Sequence, residues 1–199
     1  MKHILLLGDS IRQNYQEYVK EKCKDFADVR FPIDNGRFSY YTLRYVHEWI
    51  NALSRDDNIC FDVIHFNTGL WDVLRLSSDD ETFIDEEQYA RTLIRIYRRI
   101  RMRCPNAKII FALTTKIIEP GFAPGTEIGY RRNGDIKKFN DIAINVFRDT
   151  DVVINDLWSV SECINDTAHS DDVHFDTPEG IRELGNQVVY KLKEVIEVL

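Results

Sequence analysis

Four cysteines stand in 199 residues, at positions 23, 60, 104 and 163. They form no CxxC pair and have no histidine at ligand spacing. This excludes a disulfide framework and a cysteine zinc site, and free, buried thiols are the expected state. Long hydrophobic runs are also missing: the apolar stretch at residues 3–7 is cut by Gly8-Asp9, well short of a membrane span or a secretory leader, so a cytoplasmic protein without membrane contact is expected. Basic charge is in deficit. A net charge of −7 argues against general affinity for nucleic acid or anionic membrane. The densest basic cluster, Arg91, Arg95, Arg98, Arg99, Arg101 and Arg103, is interleaved with Leu93, Ile96, Tyr97 and Ile100 at helical spacing, the pattern of a solvated helix face. No GxGxxG or GxxxxGK[ST] loop occurs, and there is no repeat, low-complexity tract or linker.

What is present is the make-up of an ordinary folded protein. With 44% hydrophobic and 30% charged residues, the chain can bury about 70% of the surface its unfolded form exposes, and a single domain over residues 1–199 suffices. Strand-like apolar runs recur at residues 3–7, 29–31, 61–66, 108–113 and 152–154, each followed by a helical stretch. Such alternation predicts a parallel sheet covered on both faces. Ile11, Tyr15, Tyr18, Val19, Cys23 and Phe26 form one helical stripe. Leu43, Val46, Ile50 and Leu53 form another, and Ile136, Phe139, Ile142 and Val146 a third. Pro178 opens the last helix, whose buried side is Ile181, Leu184, Val188, Leu192 and Val195. Right-handed crossovers then predict a three-layer α/β/α, doubly wound fold with five parallel strands in the flavodoxin-like order 2-1-3-4-5. In such sheets function gathers at the carboxyl ends of the strands, and the longer loops at residues 70–84 and 117–134 are expected to wall a site there.

The first strand ends in Gly8-Asp9-Ser10, just where a helix begins. A serine hydroxyl needs an imidazole to take its proton before it can attack a carbonyl. His174 is the candidate, in a short loop before the final helix, and Asp171, three residues earlier, is spaced to hold one ring nitrogen while the other faces Ser10. In isolation Asp9 or Ser10 reads as a helix cap, and His174 as a surface residue. Their joint occurrence favours chemistry. His3 and His65 fall within strands and are expected to be packed or hydrogen-bonded; His47 is on a helix, and His169 has no carboxylate at the same spacing. Asp9, Asp171, Asp172 and His174 are not a recognised ligand set, so neither metal nor cofactor is expected.

With these residues the chain resembles the SGNH hydrolases, the GDSL-type esterases and lipases, over most of its length. The resemblance implies Ser10 as nucleophile in the Gly-Asp-Ser turn, and Asp171 and His174 as the Asp-x-x-His element before the last helix. It further implies an oxyanion hole built from the Ser10 and Gly36 N–H groups and an asparagine. Many members read Gly-x-Asn-Asp after the third strand. Here the chain reads Asn67-Thr68-Gly69-Leu70-Trp71-Asp72, with Trp71 at the asparagine position, so Asn67 is taken as the substitute donor; its alternative role is a loop-capping asparagine. A similar Asn-x-Gly-x-Trp arrangement marks a branch of SGNH-like proteins that handle acetyl groups on sugars.

The implied chemistry is two-step acyl transfer through a covalent acyl-enzyme, with activity falling as pH drops through the range in which an imidazole titrates. A small-molecule or carbohydrate ester, acetyl foremost, is the expected substrate. Trp71 and Trp158 could stack a sugar or sit in the core; Arg12, Arg37 and Lys116, beside strand ends, could bind an anionic group or be ordinary surface charge. Two alternatives stay open: an O-acyltransferase using the same three residues, and a non-catalytic flavodoxin-like module that cradles a phosphate at the Gly8 turn.

Overall fold

A computed structural model describes residues 1–55, 59–77, 80–122 and 129–198. Strand β1 (Lys2–Leu7) is buried completely from Ile4 onward. It is covered on both faces, which is why its sequence reads as a continuous apolar run instead of an alternation. It pairs in parallel with β2 (Ala27–Arg30) on one side and with β3 (Val63–Phe66) on the other, and β5 (Lys108–Ala112) and β8 (Val153–Asn155) complete the sheet in the order β2-β1-β3-β5-β8. Counted as parallel strands alone this is the predicted 2-1-3-4-5. Leu7 stands opposite Phe66 in the register, so β1 and β3 end at one level and the turns that follow them lie side by side.

Successive residues of β3 point to opposite faces. His65 meets the Tyr15 ring of α1 (Ser10–Cys23), and Phe66 meets Phe147 at the end of α4 (Asn133–Phe147). Helix α1 packs with α6 (Pro178–Ile196), so tightly that a side chain at Gly185 would strike the Tyr18 ring. In the other layer α3 (Glu86–Arg103) packs between α2 (Ser39–Arg55) and α4. Ile11, Tyr15, Val19 and Cys23 are buried along α1, and Leu184, Val188, Leu192 and Val195 along α6. Pro178 occupies the first turn of α6, and the Thr177 hydroxyl caps it by accepting from the Gly180 N–H.

Two expectations need correction. The loops at residues 70–84 and 117–134 are not irregular throughout: β4 (Arg75–Leu76), β6 (Gly121–Phe122) and β7 (Gly129–Arg131) pair antiparallel as a second sheet in the order β4-β7-β6. Strands of two or three residues carry no readable period, and their partners lie far apart in sequence. Residues 78–79 and 123–128 of these loops lie outside the described residues. Arg75 anchors this sheet to α4 through a two-pronged contact with Asp135, at 2.7 and 2.8 Å. The thiols also divide. Cys23 and Cys104 are buried as expected, but Cys60, ahead of β3, and Cys163, closing α5 (Leu157–Cys163), are exposed at element ends. Among the described residues no helix is long and apolar enough to cross a membrane.

Candidate active site

The chain leaves β1 through Gly8 at φ +153°, and a β-carbon there would fall 1.8 Å from Asn67 Oδ1. Only glycine makes this turn against that neighbour. Asp9 then caps α1, accepting the Ile11 N–H at 3.0 Å, and Ser10 is the first helical residue. The Ser10 side chain thereby sits at the positive end of α1, and its own N–H makes no hydrogen bond among the described residues.

His174 arrives from the loop before α6, and Asp171 shapes that loop as well as orienting the ring. Asp171 Oδ1 accepts the Val173 and His174 N–H groups at 2.7 and 2.8 Å, while Oδ2 lies 2.7 Å from His174 Nδ1. An ionised carboxylate only accepts, so Nδ1 carries the proton in this contact. Nε2 is left as an acceptor, and the Ser10 hydroxyl lies 2.8 Å from it. Burial would raise the Asp171 carboxyl, but hydrogen bonds from the His174 ring and from the Val173 and His174 amides outweigh it and hold the group below the ordinary carboxylate range. The three residues therefore form one hydrogen-bonded chain across 164 positions of sequence separation.

The oxyanion donors are arranged differently from expectation. Gly36 approaches the nucleophile turn so closely that a β-carbon would lie 2.8 Å from the Gly8 carbonyl. Its N–H, however, donates to that carbonyl oxygen at 2.7 Å, and in this conformation it is turned away from an incoming oxyanion. Asn67 is 5% exposed and packs directly over Gly8; its amide lies beside Asp9, and its Oδ1 is buried without a partner among the described residues. Asp9 is fully buried, and burial raises its titration, against which Asn67 and the Ile11 N–H pull it down. Of the three expected donors, the Gly36 N–H is committed to the Gly8 carbonyl; the Ser10 N–H is not, and the Asn67 amide lies beside Asp9 without satisfying its Oδ2, which is buried with no partner among the described residues.

Arg12 and Lys116 do not reach the site as substrate ligands. Arg12 is fully buried and gives its guanidinium to the carbonyls of Pro32 (3.1 Å), Gly8 (3.1 Å) and Asp34 (2.7 Å), with Gln16 as a further partner. It ties α1 to the chain after β2. Lys116 joins the end of the β5 segment to Ile164 O and Asp166. Both cations are held by internal acceptors that a sequence pattern does not reveal. Arg37 is exposed over the Tyr41 ring. Trp71 is half-buried in the turn after Gly69, whereas Trp158 is buried and carries Lys137 over its ring. His3 and His65 are hydrogen-bonded as expected, with Asp28 and Asn155, and His47, on α2, pairs with Asn51, while both His169 ring nitrogens are buried without partners among the described residues.

Sequence reasoning missed Arg131. It closes β7, is 3% exposed, and donates from Nε to the Leu70 carbonyl at 2.6 Å, while its Nη1 is buried with no partner among the described residues. Burial lowers its titration to about 10, and Asp9 and Asp171 are the charges that counteract this. It remains a cation at neutral pH, within the electrostatic reach of both Asp9 and Asp171. Its neighbour Arg132 is exposed, and nothing in the pair of arginines shows which one turns inward before the β7 pairing is known.

No protein-family model matches the sequence, and no curated protein matches it. Solved structures do. The acetyl xylan esterase AlAXEase superposes with a TM-score of 0.74 at 16% identity, over 96% of this chain and 99% of that one. A carbohydrate esterase family 3 protein from Talaromyces cellulolyticus gives 0.73 at 17% identity, over the whole of both chains. A member of the lipolytic protein G-D-S-L family from Veillonella parvula DSM 2008 gives 0.68 at 15% identity, over 97% and 99%. At such identities the likeness is one of fold, and it extends from end to end.

Proposed function

We propose that the chain is a serine esterase of the SGNH type that removes small acyl groups, acetyl foremost, from an alcohol such as a carbohydrate hydroxyl. One contact carries this: the 2.8 Å approach of Ser10 Oγ to His174 Nε2, with Nδ1 of the same ring held by Asp171 at 2.7 Å. A capping serine and a surface histidine have no reason to meet in this way. In support, the fold neighbours include an acetyl xylan esterase and a carbohydrate esterase.

In the proposed reaction His174 Nε2 takes the proton from Ser10 Oγ as that oxygen attacks the ester carbonyl, and the carbonyl electron pair moves onto its oxygen. The pair returns, the bond to the alcohol breaks, and the alcohol leaves with the proton from Nε2. Water, deprotonated by the same nitrogen, then attacks the acyl group, the bond to Ser10 Oγ breaks, Nε2 returns its proton to that oxygen, and the carboxylic acid leaves. Asp171 keeps the ring in the working tautomer and stabilises its cation.

A fluorophosphonate probe tests the assignment. The folded wild type is expected to label and to hydrolyse p-nitrophenyl acetate, and Ser10→Ala to lose the label and about 10³-fold or more in kcat. A folded wild type that neither labels nor turns over contradicts the reading and favours a binding module. Ester transfer to an added sugar that outpaces hydrolysis reassigns the same residues to an acyltransferase.

A further inference from the structure

Arg131 is a buried cation at this site whose Nη1 has no partner among the described residues. Two strands of the small sheet offer a direct comparison. Arg75 on β4 is matched on two prongs by Asp135, whereas Arg131 on the adjoining β7 makes a single hydrogen bond, Nε to Leu70 O, and no ion pair among the described residues. Taking a guanidinium out of water without a direct ion pair is unfavourable, and Asp9 and Asp171 offset this only without touching it. A leucine or methionine would fill the same space without that cost.

The place of the side chain suggests its use. The hydrogen bond to Leu70 O fixes the guanidinium at the turn that follows β3 and Asn67, and Asp9 and Asp171 are the charges that act on it there. Of the other donors, the Gly36 N–H faces the Gly8 carbonyl, which leaves the Ser10 N–H and the Asn67 amide. With Gly36 turned away, a full negative charge on oxygen, held away from water, gains from a further fixed donor.

Building on the serine-esterase reading, we propose that Arg131 is a catalytic residue that donates from Nη1 to the acyl oxygen of the bound ester as that oxygen becomes anionic. The ester is neutral and the tetrahedral intermediate is not, so a fixed cation favours the intermediate over the substrate and acts mainly on kcat. When Ser10 attacks, the electron pair placed on the acyl oxygen faces the guanidinium, and the serine proton rests on His174 Nε2. On collapse the pair returns to the carbonyl and that proton leaves with the alcohol. Arg131 keeps its own protons throughout. The carboxylate released at the end presents the same charged oxygen, so acetate should compete for the site.

The test compares wild type, Arg131→Lys, Arg131→Met and Arg131→Ala on p-nitrophenyl acetate, with thermal unfolding measured for each. Arg131→Met is expected to lose about 10²–10³-fold in kcat, the size of one oxyanion donor, with a much smaller change in KM. Its unfolding temperature should be unchanged or higher, since an unpaired buried charge has gone. Inhibition by acetate should weaken in parallel. Arg131→Lys should retain part of the rate, and added guanidinium should restore part of it to Arg131→Ala. A folded Arg131→Met with kcat within about threefold of wild type overturns the proposal. So does a loss that follows unfolding across the variants and is not rescued by guanidinium. A wild type with no Ser10-dependent turnover overturns the esterase reading, and this one with it, which keeps the two failures apart.

Discussion

At Asp171 the two carboxylate oxygens have separate tasks. Oδ1 closes the loop on the Val173 and His174 amides, and Oδ2 holds the ring. Asparagine can keep an acceptor for the amides but not a negative charge for the imidazolium. Asp171→Asn is therefore expected to fold with an almost unchanged unfolding temperature and to lose about 10²–10⁴-fold in kcat. A loss of stability as large as the loss of rate would mean that Asp171 serves the loop alone. Ser10, His174 and Asp171 were legible as a trio because chemistry restricts residue type and spacing together. Arg12 and Lys116 were not, because an arginine held by the Pro32, Gly8 and Asp34 carbonyls has the same sequence signature as one reaching into solvent.

Among the elements, the parallel strands and long helices were readable from apolar periodicity, and the small antiparallel sheet was not. Its register, Arg75 opposite Tyr130 and Gly121 opposite Arg131, joins segments with no local pattern of their own. That sheet delivers Arg131, and its link to α4 is the Arg75–Asp135 pair, whose side chains are only 16% and 17% exposed. Removing one partner of such a partly buried pair leaves the other uncompensated. Asp135→Ala is expected to weaken the sheet locally by about 2 kcal/mol, seen as faster hydrogen exchange at the amides of residues 129–131 with the parallel sheet still protected. Uniform loss of protection throughout the protein would contradict a local anchoring role.

For the whole molecule, buried groups act on the pH dependence of stability in opposite senses, as His65 and Asp72 show. Burial holds the His65 imidazole neutral, its titration lowered to about 4. Between pH 6.5 and 4 the unfolded chain takes up this proton and the folded one does not, so His65 costs stability as pH falls. Asp72 acts in the opposite sense. Burial raises its carboxyl to about 6 against hydrogen bonds from Ser39 and Thr68, so between pH 6 and 3.8 the folded state binds a proton that the unfolded state does not, and stability is gained as pH falls. Each effect is worth about 3 kcal/mol in full. Asp72→Asn removes the second alone. Between pH 7 and pH 4.5 the stability gap measured by urea unfolding should move about 2 kcal/mol in favour of the wild type; a gap that does not move refutes the assignment. Neither shift was legible in the sequence, since each depends on complete burial brought about by strands and helices remote in the chain.

The covalent intermediate is the most direct measure of the function proposed for this fold. Rapid acid quench after mixing with p-nitrophenyl acetate, followed by peptide mapping, should find an acetyl group on Ser10 of the wild type and none in Ser10→Ala. Turnover that proceeds undiminished in Ser10→Ala, or an acetyl group that maps consistently to another residue, would contradict it.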